Sequence, residues 1–199
     1  MRRLRLLTGG ESHGPRLTAV LEGLPAGLAL DRAAIDDWLR RRQHGFGRGG
    51  RQRIERDCVV VSGGLRDGRS LGSPLVMEIA NLDWENWSEV MDPWRVDPEA
   101  AAKRAVTRPR PGHADYSGGA ATDQLADLRN VLERSSARET AARVAAGAVC
   151  AQLLARYGIG LRASVLRVGP HEVVAGPPSW EGLAAVRADS PLVTPRPDD

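Results

Sequence analysis

The first third of the chain carries apolar patterns typical of two strands followed by a helix. Leu4–Thr8 and Leu17–Leu24 are short apolar runs separated by turn-forming residues, so each is predicted to form a strand. Apolar residues then recur at helical spacing from Ile35, which predicts a helix over Asp31–Arg42 with Asp31 as its N-cap. The helix ends on three consecutive arginines, whose positive charge stabilises the C-terminal end of the helix dipole.

The middle of the chain continues with strands and short helices. Cys58–Ser62 and Leu75–Ala80 are predicted strands on either side of a turn at Arg66–Gly68. Tryptophan and methionine residues at helical spacing predict a short, packed helix within Asn81–Asp92. Asp97, which is followed by a proline, is predicted to open another helix.

The last third is dominated by one long helix of small residues. Ser136 and Glu139 have the S-x-x-E spacing of a capping box, which predicts a helix over Ala137–Tyr157. Small apolar residues cover nearly all sides of this helix, a pattern typical of burial between layers. Gly160–Gly169 and His171–Ala175 are predicted strands.

The amino-acid composition predicts a core with few aromatic rings, and the charge is unevenly distributed along the chain. Of the 199 residues 42% are hydrophobic, which is enough for a packed core of aliphatic and small side chains. The net charge is +3, but residues 1–53 hold eleven arginines against five acidic residues. This basic region indicates an anionic partner: a nucleic acid, a membrane or a phosphorylated metabolite. The sequence lacks the interleaved aromatic and basic residues that single-strand binders use for base stacking.

Cysteine usage and hydropathy narrow the class of protein further. Cys58 and Cys150 belong to no C-x-x-C pair, so neither a disulfide framework nor a metal site is predicted. No run approaches the roughly 18 apolar residues of a membrane span, and the N-terminus lacks the apolar core of a signal peptide. A cytoplasmic protein with no membrane partner is expected.

Thr107–Gly119 is the segment richest in candidate functional residues. Arg108, Arg110 and His113 lie there among prolines and glycines, and each proline holds the residue before it out of a helix. The segment is therefore predicted to be a stiff polar loop. Guanidinium groups bind phosphate or carboxylate with paired hydrogen bonds, and histidine titrates near neutral pH. A solvated loop without function is the alternative.

Two other segments carry compatible residues. Ser12 and His13 lie in Gly-Glu-Ser-His-Gly, a tight connection between the first two strands, where a side chain can face a cleft. Arg134, Ser135 and Ser136 precede the long helix, whose first backbone N–H groups form an anion-binding arrangement. A structural role for His13 and a simple helix cap at Ser136 are the alternatives.

The basic end of the first helix continues into a glycine-rich loop with more arginines. Arg42 ends the helix, Arg48 lies in the loop, and Gly45, Gly47 and Gly50 match the spacing G-x-G-x-x-G. A dinucleotide fingerprint is rejected, because that motif follows a strand and opens a helix, whereas this one follows a helix. The segment is predicted to be a flexible basic flap that closes over an anion.

Together, the strings GESHG, RPRPGHAD, ERSSARET and RRRQHGFGRGGR resemble the N-terminal half of chorismate synthase, from Leu4 to about Gly169. The resemblance implies an α+β fold with helices sandwiched between antiparallel β-sheets, residues 1–199 forming the N-terminal part of one domain, and a homotetramer. It also implies a carbon–oxygen lyase of the shikimate pathway. The reaction converts 5-enolpyruvylshikimate 3-phosphate to chorismate and phosphate by 1,4-anti elimination and requires reduced FMN.

The resemblance also implies catalytic and flavin-binding residues. His13 is similar to the family histidine that protonates the leaving phosphate, and His113 to the histidine beside the flavin. Arg134, Ser135 and Ser136 are similar to the run that contacts FMN.

Further anion-binding residues are implied on the flap and the loops. Arg42 and Arg48 are similar to flap positions that bind an anionic ligand, described for some members as NADP. Ser12, Arg48, Arg110 and Arg134 are expected to bind the phosphorylated substrate. Some members reduce the flavin with NADPH and others rely on a separate reductase, and the sequence leaves both open.

Family members are about twice as long as this chain. Residues 1–199 alone are therefore expected to hold an incomplete site, to bind FMN weakly and to be inactive. The alternative function is a basic anion- or nucleic-acid-binding module without catalysis, whose affinity would collapse with added salt. Another is a regulatory or scaffolding protein that has lost catalysis. The resemblance favours a small-molecule enzyme with no nucleic-acid partner.

Overall fold

The structure is a computed structural model that describes residues 3–45, 54–172, 178–187 and 190–194. Its strands are β1 (Arg5–Gly9), β2 (Arg16–Glu22), β3 (Val60–Gly63), β4 (Leu65–Arg66), β5 (Arg69–Ser70), β6 (Leu75–Ala80), β7 (Arg167–Val168) and β8 (His171–Glu172). Its α-helices are α1 (Arg32–Gln43), α2 (Ser88–Met91), α3 (Pro98–Arg104), α4 (Asp115–Ala121), α5 (Arg129–Ser135), α6 (Thr140–Ala155) and α7 (Trp180–Ala184). Short 3-10 helices lie at Leu82–Asn86 and Ala137–Glu139.

The main sheet has the strand order β1-β2-β6-β3, and all of its neighbouring strands are antiparallel. Alternate residues of β2 and β6 face the core because side chains along a strand point to opposite faces. These core residues are Leu17, Ala19, Leu21, Leu75, Met77 and Ile79. The four predicted strands that form this sheet are confirmed. No strand end differs from its predicted position by more than two residues.

Helix α6 packs on both the sheet and α1, as the small-residue pattern predicts. Alanines at Ala141, Ala142 and Ala145 are almost fully buried, which allows the helix backbone to approach β2 closely. Helix α1 is confirmed, and the Asp31 side chain accepts a hydrogen bond from Ala33 N, as an N-cap does.

The predicted start of the long helix is corrected. Ser136 accepts from Arg138 N at the head of a 3-10 helix, and α6 begins at Thr140. The Glu139 side chain does not complete a capping box because it binds Thr8 and Arg143 instead. The helix ends at Ala155, two residues before the predicted end at Tyr157.

The predicted strand Gly160–Gly169 is wrong over most of its length. Only Arg167–Val168 is a strand, and it pairs with His171–Glu172. The described residues provide no longer partner for it, and an alternating sequence without a hydrogen-bonded neighbour does not form a strand. Residues 173–175 of the other predicted strand lie outside the described part of the chain.

Mixed helices and antiparallel sheets confirm the α+β class. None of the described helices is long and apolar enough to cross a membrane.

Candidate active site

The connection between β1 and β2 holds His13 in a closed loop. Gly10 has φ +90°, and a Cβ there would lie 2.2 Å from the carbonyl oxygen of Arg16, so this turn requires glycine. The Asn81 side chain closes the loop, because its Nδ2 donates to the carbonyls of Glu11 (3.1 Å) and Gly14 (2.7 Å). The loop is therefore fixed by side-chain contacts as well as by its own backbone.

His13 is bound by a carboxylate from a distant helix. Its Nδ1 lies 2.7 Å and 2.9 Å from the two carboxylate oxygens of Glu133 in α5, and its backbone N donates to Glu133 Oε2 at 2.7 Å. The indole of Trp87 stacks on the imidazole with ring centroids 3.8 Å apart. The imidazole is 16% exposed, so His13 is held but still open to a ligand.

Glu133 is fully buried and charged. Burial alone raises the pKa of a carboxyl group, but hydrogen bonds from His13 and Arg129 outweigh it and lower the pKa of Glu133. Arg129 Nη1 donates to Glu133 Oε1 at 3.2 Å. A carboxylate only accepts hydrogen bonds, so Glu133 binds the Nδ1–H of His13.

The surroundings of Trp87 are cationic. The guanidinium groups of Arg104 and Arg129 lie 4.2 Å and 5.1 Å from its ring centroid, within range of a cation–π interaction. Arg129 also donates to the carbonyl of Arg104, which ties α5 to α3. Trp87 is 8% exposed, so the expectation that it packs in the core is confirmed, and it also supports His13.

A second cluster surrounds His113. Its Nδ1 contacts Asp115 Oδ1, and Arg110 donates to Asp115 Oδ2 from both its backbone N and its Nε, each at 3.0 Å. These hydrogen bonds from Arg110, assisted by His113, outweigh burial and lower the pKa of Asp115 to about 2. The Arg110 guanidinium, predicted to bind substrate, thus already pairs with a buried carboxylate.

The loop prediction for Thr107–Gly119 is correct only in its first part. Arg108 and Arg110 lie outside any helix, as the prolines require, but α4 begins at Asp115 and includes Gly119. Gly118 and Gly119 indicated a turn, yet both lie in α4, where the absence of a side chain allows α5 to pack closely. A Cβ at Gly118 would lie 2.4 Å from Val131 Cγ1.

The segment predicted to bind FMN lines a cavity of about 550 Å³. The lining includes Gly118, Val131, Arg134, Ser135, Ser136 and Arg143. Arg134, with 43% of its side chain exposed, donates to Thr8 and pairs with Glu139 at 3.3 Å. Ser135 donates to the carbonyl of Val131. Burial alone raises the pKa of Glu139, but hydrogen bonds from Thr8 and Arg143 help to outweigh it, and the pKa is lowered.

The structure brings several predicted residues together at the junction of α5 and α6. Ser12 Oγ donates to Ser136 Oγ at 3.1 Å, beside the Glu133 contact to His13. Arg42 reaches the same junction: its Nε donates to Thr140 Oγ1 at 2.9 Å and its Nη2 to the carbonyl of Ala137 at 2.8 Å.

Only part of the predicted flap lies among the residues that the structure describes. Arg42 also pairs with Asp57 at 3.3 Å, and its side chain is 10% exposed, so it is largely engaged in ties within the protein. Arg48 and the other residues of 46–53, with most of the glycine-rich motif, lie outside the described part of the chain.

Sequence reasoning assigned no role to Glu133. Nothing in its local sequence marks it, apart from its position next to Arg134. Its contact with His13 joins residues 120 positions apart along the chain. Arg138 was missed for the same reason. It is buried with Asp57, Asn81 and Glu55, three residues from distant parts of the sequence.

A larger cavity of about 810 Å³ lies between α1 and residues 55–58. Its lining mixes Arg40 and Arg56 with several carboxylates, Asp36, Asp37, Glu55 and Asp57. The carboxylates outnumber the arginines here, which is unsuited to an anionic ligand, whereas in the 550 Å³ cavity two arginines accompany the single carboxylate of Glu139. The two histidine clusters and that cavity remain as the candidate site.

Comparison with known proteins decides the family. The family model described as "Chorismate synthase" matches residues 4–198. The chain belongs to the chorismate synthase family. The resemblance noted in the four sequence strings is thereby confirmed, and the family assignment gives no support to a nucleic-acid-binding module.

Chorismate synthase relatives cover nearly all of the chain. A chorismate synthase of Moorella thermoacetica is 57% identical over 196 residues, which are 98% of this chain and 49% of the relative. That of Symbiobacterium thermophilum is 53% identical over 201 residues, or 98% of this chain and 50% of the relative. A crystal structure of chorismate synthase superposes with a TM-score of 0.72 and 38% identity, covering 100% of this chain and 51% of that one. The chain thus spans about half the length of the curated relatives it matches.

Proposed function

We propose that the protein carrying this chain is a chorismate synthase, a carbon–oxygen lyase of aromatic amino acid biosynthesis. It eliminates phosphate from 5-enolpyruvylshikimate 3-phosphate and forms chorismate in a reaction that depends on reduced FMN. The observation that carries the proposal is the geometry of His13, whose imidazole is bound by the buried carboxylate of Glu133 and is still partly exposed. Family membership supplies the reaction class.

His13 acts as the proton donor to the departing phosphate. A phosphate that leaves with its bonding electrons gains negative charge, and a protonated imidazole lowers the barrier by transferring a proton to it. The carboxylate of Glu133 holds Nδ1 of the ring, and Trp87 fixes the plane in which the ring lies.

The residues at the 550 Å³ cavity fit an anionic cofactor. Arg134 and Arg143 keep 43% and 60% of their side chains exposed, and Ser135 and Ser136 add hydroxyl groups. Guanidinium and hydroxyl groups are the usual partners of phosphate oxygens. We therefore assign FMN to Arg134, Ser135 and Ser136, and the reduced flavin supplies an electron to the reaction when it is bound.

His113 serves the flavin side of the site in this proposal. Asp115 holds its Nδ1, which orients the ring. Substrate anions bind at Ser12, Arg48, Arg110 and Arg134, since the substrate carries a phosphate and two carboxylates. Arg42 and Arg48 form the flap contact to anionic ligand, with NADP(H) as the candidate where the flavin is reduced in place.

A homotetramer and a cytoplasmic location belong to the same proposal and rest on family resemblance alone. Size-exclusion chromatography with light scattering measures the oligomer directly. A monomer at micromolar concentration would contradict the tetramer without touching the assignment of the reaction.

The decisive experiment uses a protein of the relatives' full length that carries these 199 residues. Reduced FMN is titrated anaerobically with and without 5-enolpyruvylshikimate 3-phosphate, and flavin absorbance and chorismate are followed. We expect chorismate to form only when both are present, and flavin binding to tighten with substrate. If the folded protein binds neither compound and forms no chorismate, the proposal is wrong.

A further inference from the structure

Glu133 makes more contacts with the His13 loop than a simple ion pair requires. Its two carboxylate oxygens receive both Nδ1 and the backbone N of His13. Its own carbonyl accepts from Ser12 N at 3.0 Å. Side chain and main chain of one residue thus bind two successive residues of the loop, and the carboxylate has no exposed surface.

These contacts leave one ring nitrogen for chemistry. Nδ1 faces the carboxylate, which only accepts hydrogen bonds, so Nδ1 carries a proton in either charge state of the ring. The Trp87 stack covers one face of the imidazole. Nε2 is therefore the nitrogen at which a proton is gained or lost.

We propose that Glu133 is a positioning residue for His13: its buried carboxylate fixes the imidazole with Nδ1–H bound, so that Nε2 is the proton-donating atom. The inference rests on the proposed function, because it assigns the proton donor within that reaction. Glu133 itself touches neither substrate nor cofactor in this account. It acts through the tautomer and orientation of His13, as a carboxylate does in a catalytic triad.

The proton transferred to phosphate comes from His13. As the bond between carbon and the phosphate oxygen breaks, that oxygen keeps the bonding electrons and takes the proton from Nε2. In the complete 1,4-elimination, the electron pair of the ring C–H bond that loses its proton replaces the pair that leaves with phosphate. His13 is left as a neutral imidazole with Nδ1–H still bound to Glu133. A proton from solvent restores Nε2–H before the next turnover.

The test compares Glu133→Gln with the unaltered full-length protein in the anaerobic chorismate assay. Glutamine preserves size but can turn its amide N–H toward Nδ1 and so hold the wrong tautomer. We expect kcat to fall about 10- to 100-fold, part of the roughly 10²–10⁴-fold that a general acid supplies, with KM little changed.

Two further variants separate positioning from folding. Asp36→Asn removes a different carboxylate, which accepts from Val59 N at 2.8 Å and pairs with Arg32, outside the contacts that join Arg138 and Asn81 to the His13 loop. It should lower the melting temperature and leave kcat unchanged. In a His13→Gln background, Glu133→Gln should cause no further loss of kcat, because Glu133 acts through the missing ring.

The outcomes are distinguishable from failure of the proposed function. If the unaltered protein makes no chorismate, that function is wrong. If it does, but Glu133→Gln keeps the same kcat, or costs as much in the His13→Gln background, the inference is overturned. Should Glu133→Gln not fold, Glu133→Asp decides: a reduction in kcat that disappears in the His13→Gln background supports the inference, and an equal reduction in both backgrounds refutes it.

Discussion

His13 and His113 both place Nδ1 against a buried carboxylate, and the two carboxylates reach them by different routes. Asp115 lies two positions from His113 and is held by Arg110 from the same short segment. Glu133 lies 120 positions from His13 and reaches it only because α5 packs against the loop after β1. The His113 cluster is local, whereas the His13 cluster depends on the tertiary fold.

This difference has a mechanical consequence. The His13 loop is tied to Asn81, and Asn81 Oδ1 accepts from the buried Arg138 at 2.8 Å. A chain of contacts therefore runs from the core network to the imidazole. The His113 cluster is oriented within its own segment, so disturbing the core should affect the two histidines unequally.

The largest expected effects separate the roles of the two rings. His13→Gln should lower kcat about 10²–10⁴-fold, the usual contribution of a general acid, and leave the Kd of reduced FMN unchanged. His113→Gln should raise that Kd as well as lower kcat. Anaerobic flavin titration and chorismate assays measure both quantities. Equal weakening of flavin binding by both substitutions would break the comparison.

The next largest effect is expected on stability, when the buried ion pairs of Arg138 are removed. Arg138→Met removes the buried cation that pairs with Glu55 and that shares Asp57 with Arg42, and it should cost about 3–5 kcal/mol in the free energy of unfolding. Denaturant unfolding of the full-length protein measures this cost. Arg16→Met removes an exposed pair with Glu78 and should cost less than about 1 kcal/mol. A similar loss in both variants would contradict the assigned burial.

The packing of α4 on α5 links the two clusters and can be tested by adding one methyl group. Gly118→Ala pushes a Cβ against Val131 and should cost about 1–3 kcal/mol. Gly147→Ala in α6 meets no atom within 4 Å and should stabilise by about 0.5–1 kcal/mol. The sign of the change in melting temperature distinguishes them, and stabilisation by Gly118→Ala would show that the helices are not in close contact.

The smallest expected effect is a pH dependence of the melting temperature that comes from Asp115 in the His113 cluster. The pKa of Asp115 is lowered from 3.8 to about 2, so its stabilising contribution is complete above 3.8 and is lost as pH falls through about 2. Asp115→Asn should remove this part of the acid-induced fall in melting temperature. Asp67→Asn, in the exposed β4–β5 turn, is the matched control. Identical acid profiles for the unaltered protein and Asp115→Asn would contradict the depressed pKa.

Much of the fold follows from local patterns. β2, β6 and α1 were predicted close to their ends because alternating or helically spaced apolar residues face one core. The capping box at Ser136 was wrong in its second half, since the Glu139 side chain finds stronger partners in Thr8 and Arg143. Local spacing does not reveal that competition.

The candidate site was predictable only where its contacts are local or its strings are distinctive. Ser12, His13 and His113 were found from short polar motifs between turn residues, and the structure gives both histidines carboxylate partners. Glu133 and Trp87 were given no site role because their contacts with His13 join distant segments. A buried carboxylate is recognised only when its partners are seen in three dimensions.

Asn81 carries one more consequence, for chemical ageing and for neutral drift in the sequence. Its Nδ2 is a donor to two carbonyls of the His13 loop, while its Oδ1 receives Arg138. Deamidation to aspartate changes hardly any volume, yet it would set a carboxylate oxygen against two carbonyl oxygens. An aspartate at this position has nearly the same shape, but the oxygen that replaces Nδ2 would repel the two carbonyls and push the loop open. Position 81 therefore tolerates asparagine and not aspartate.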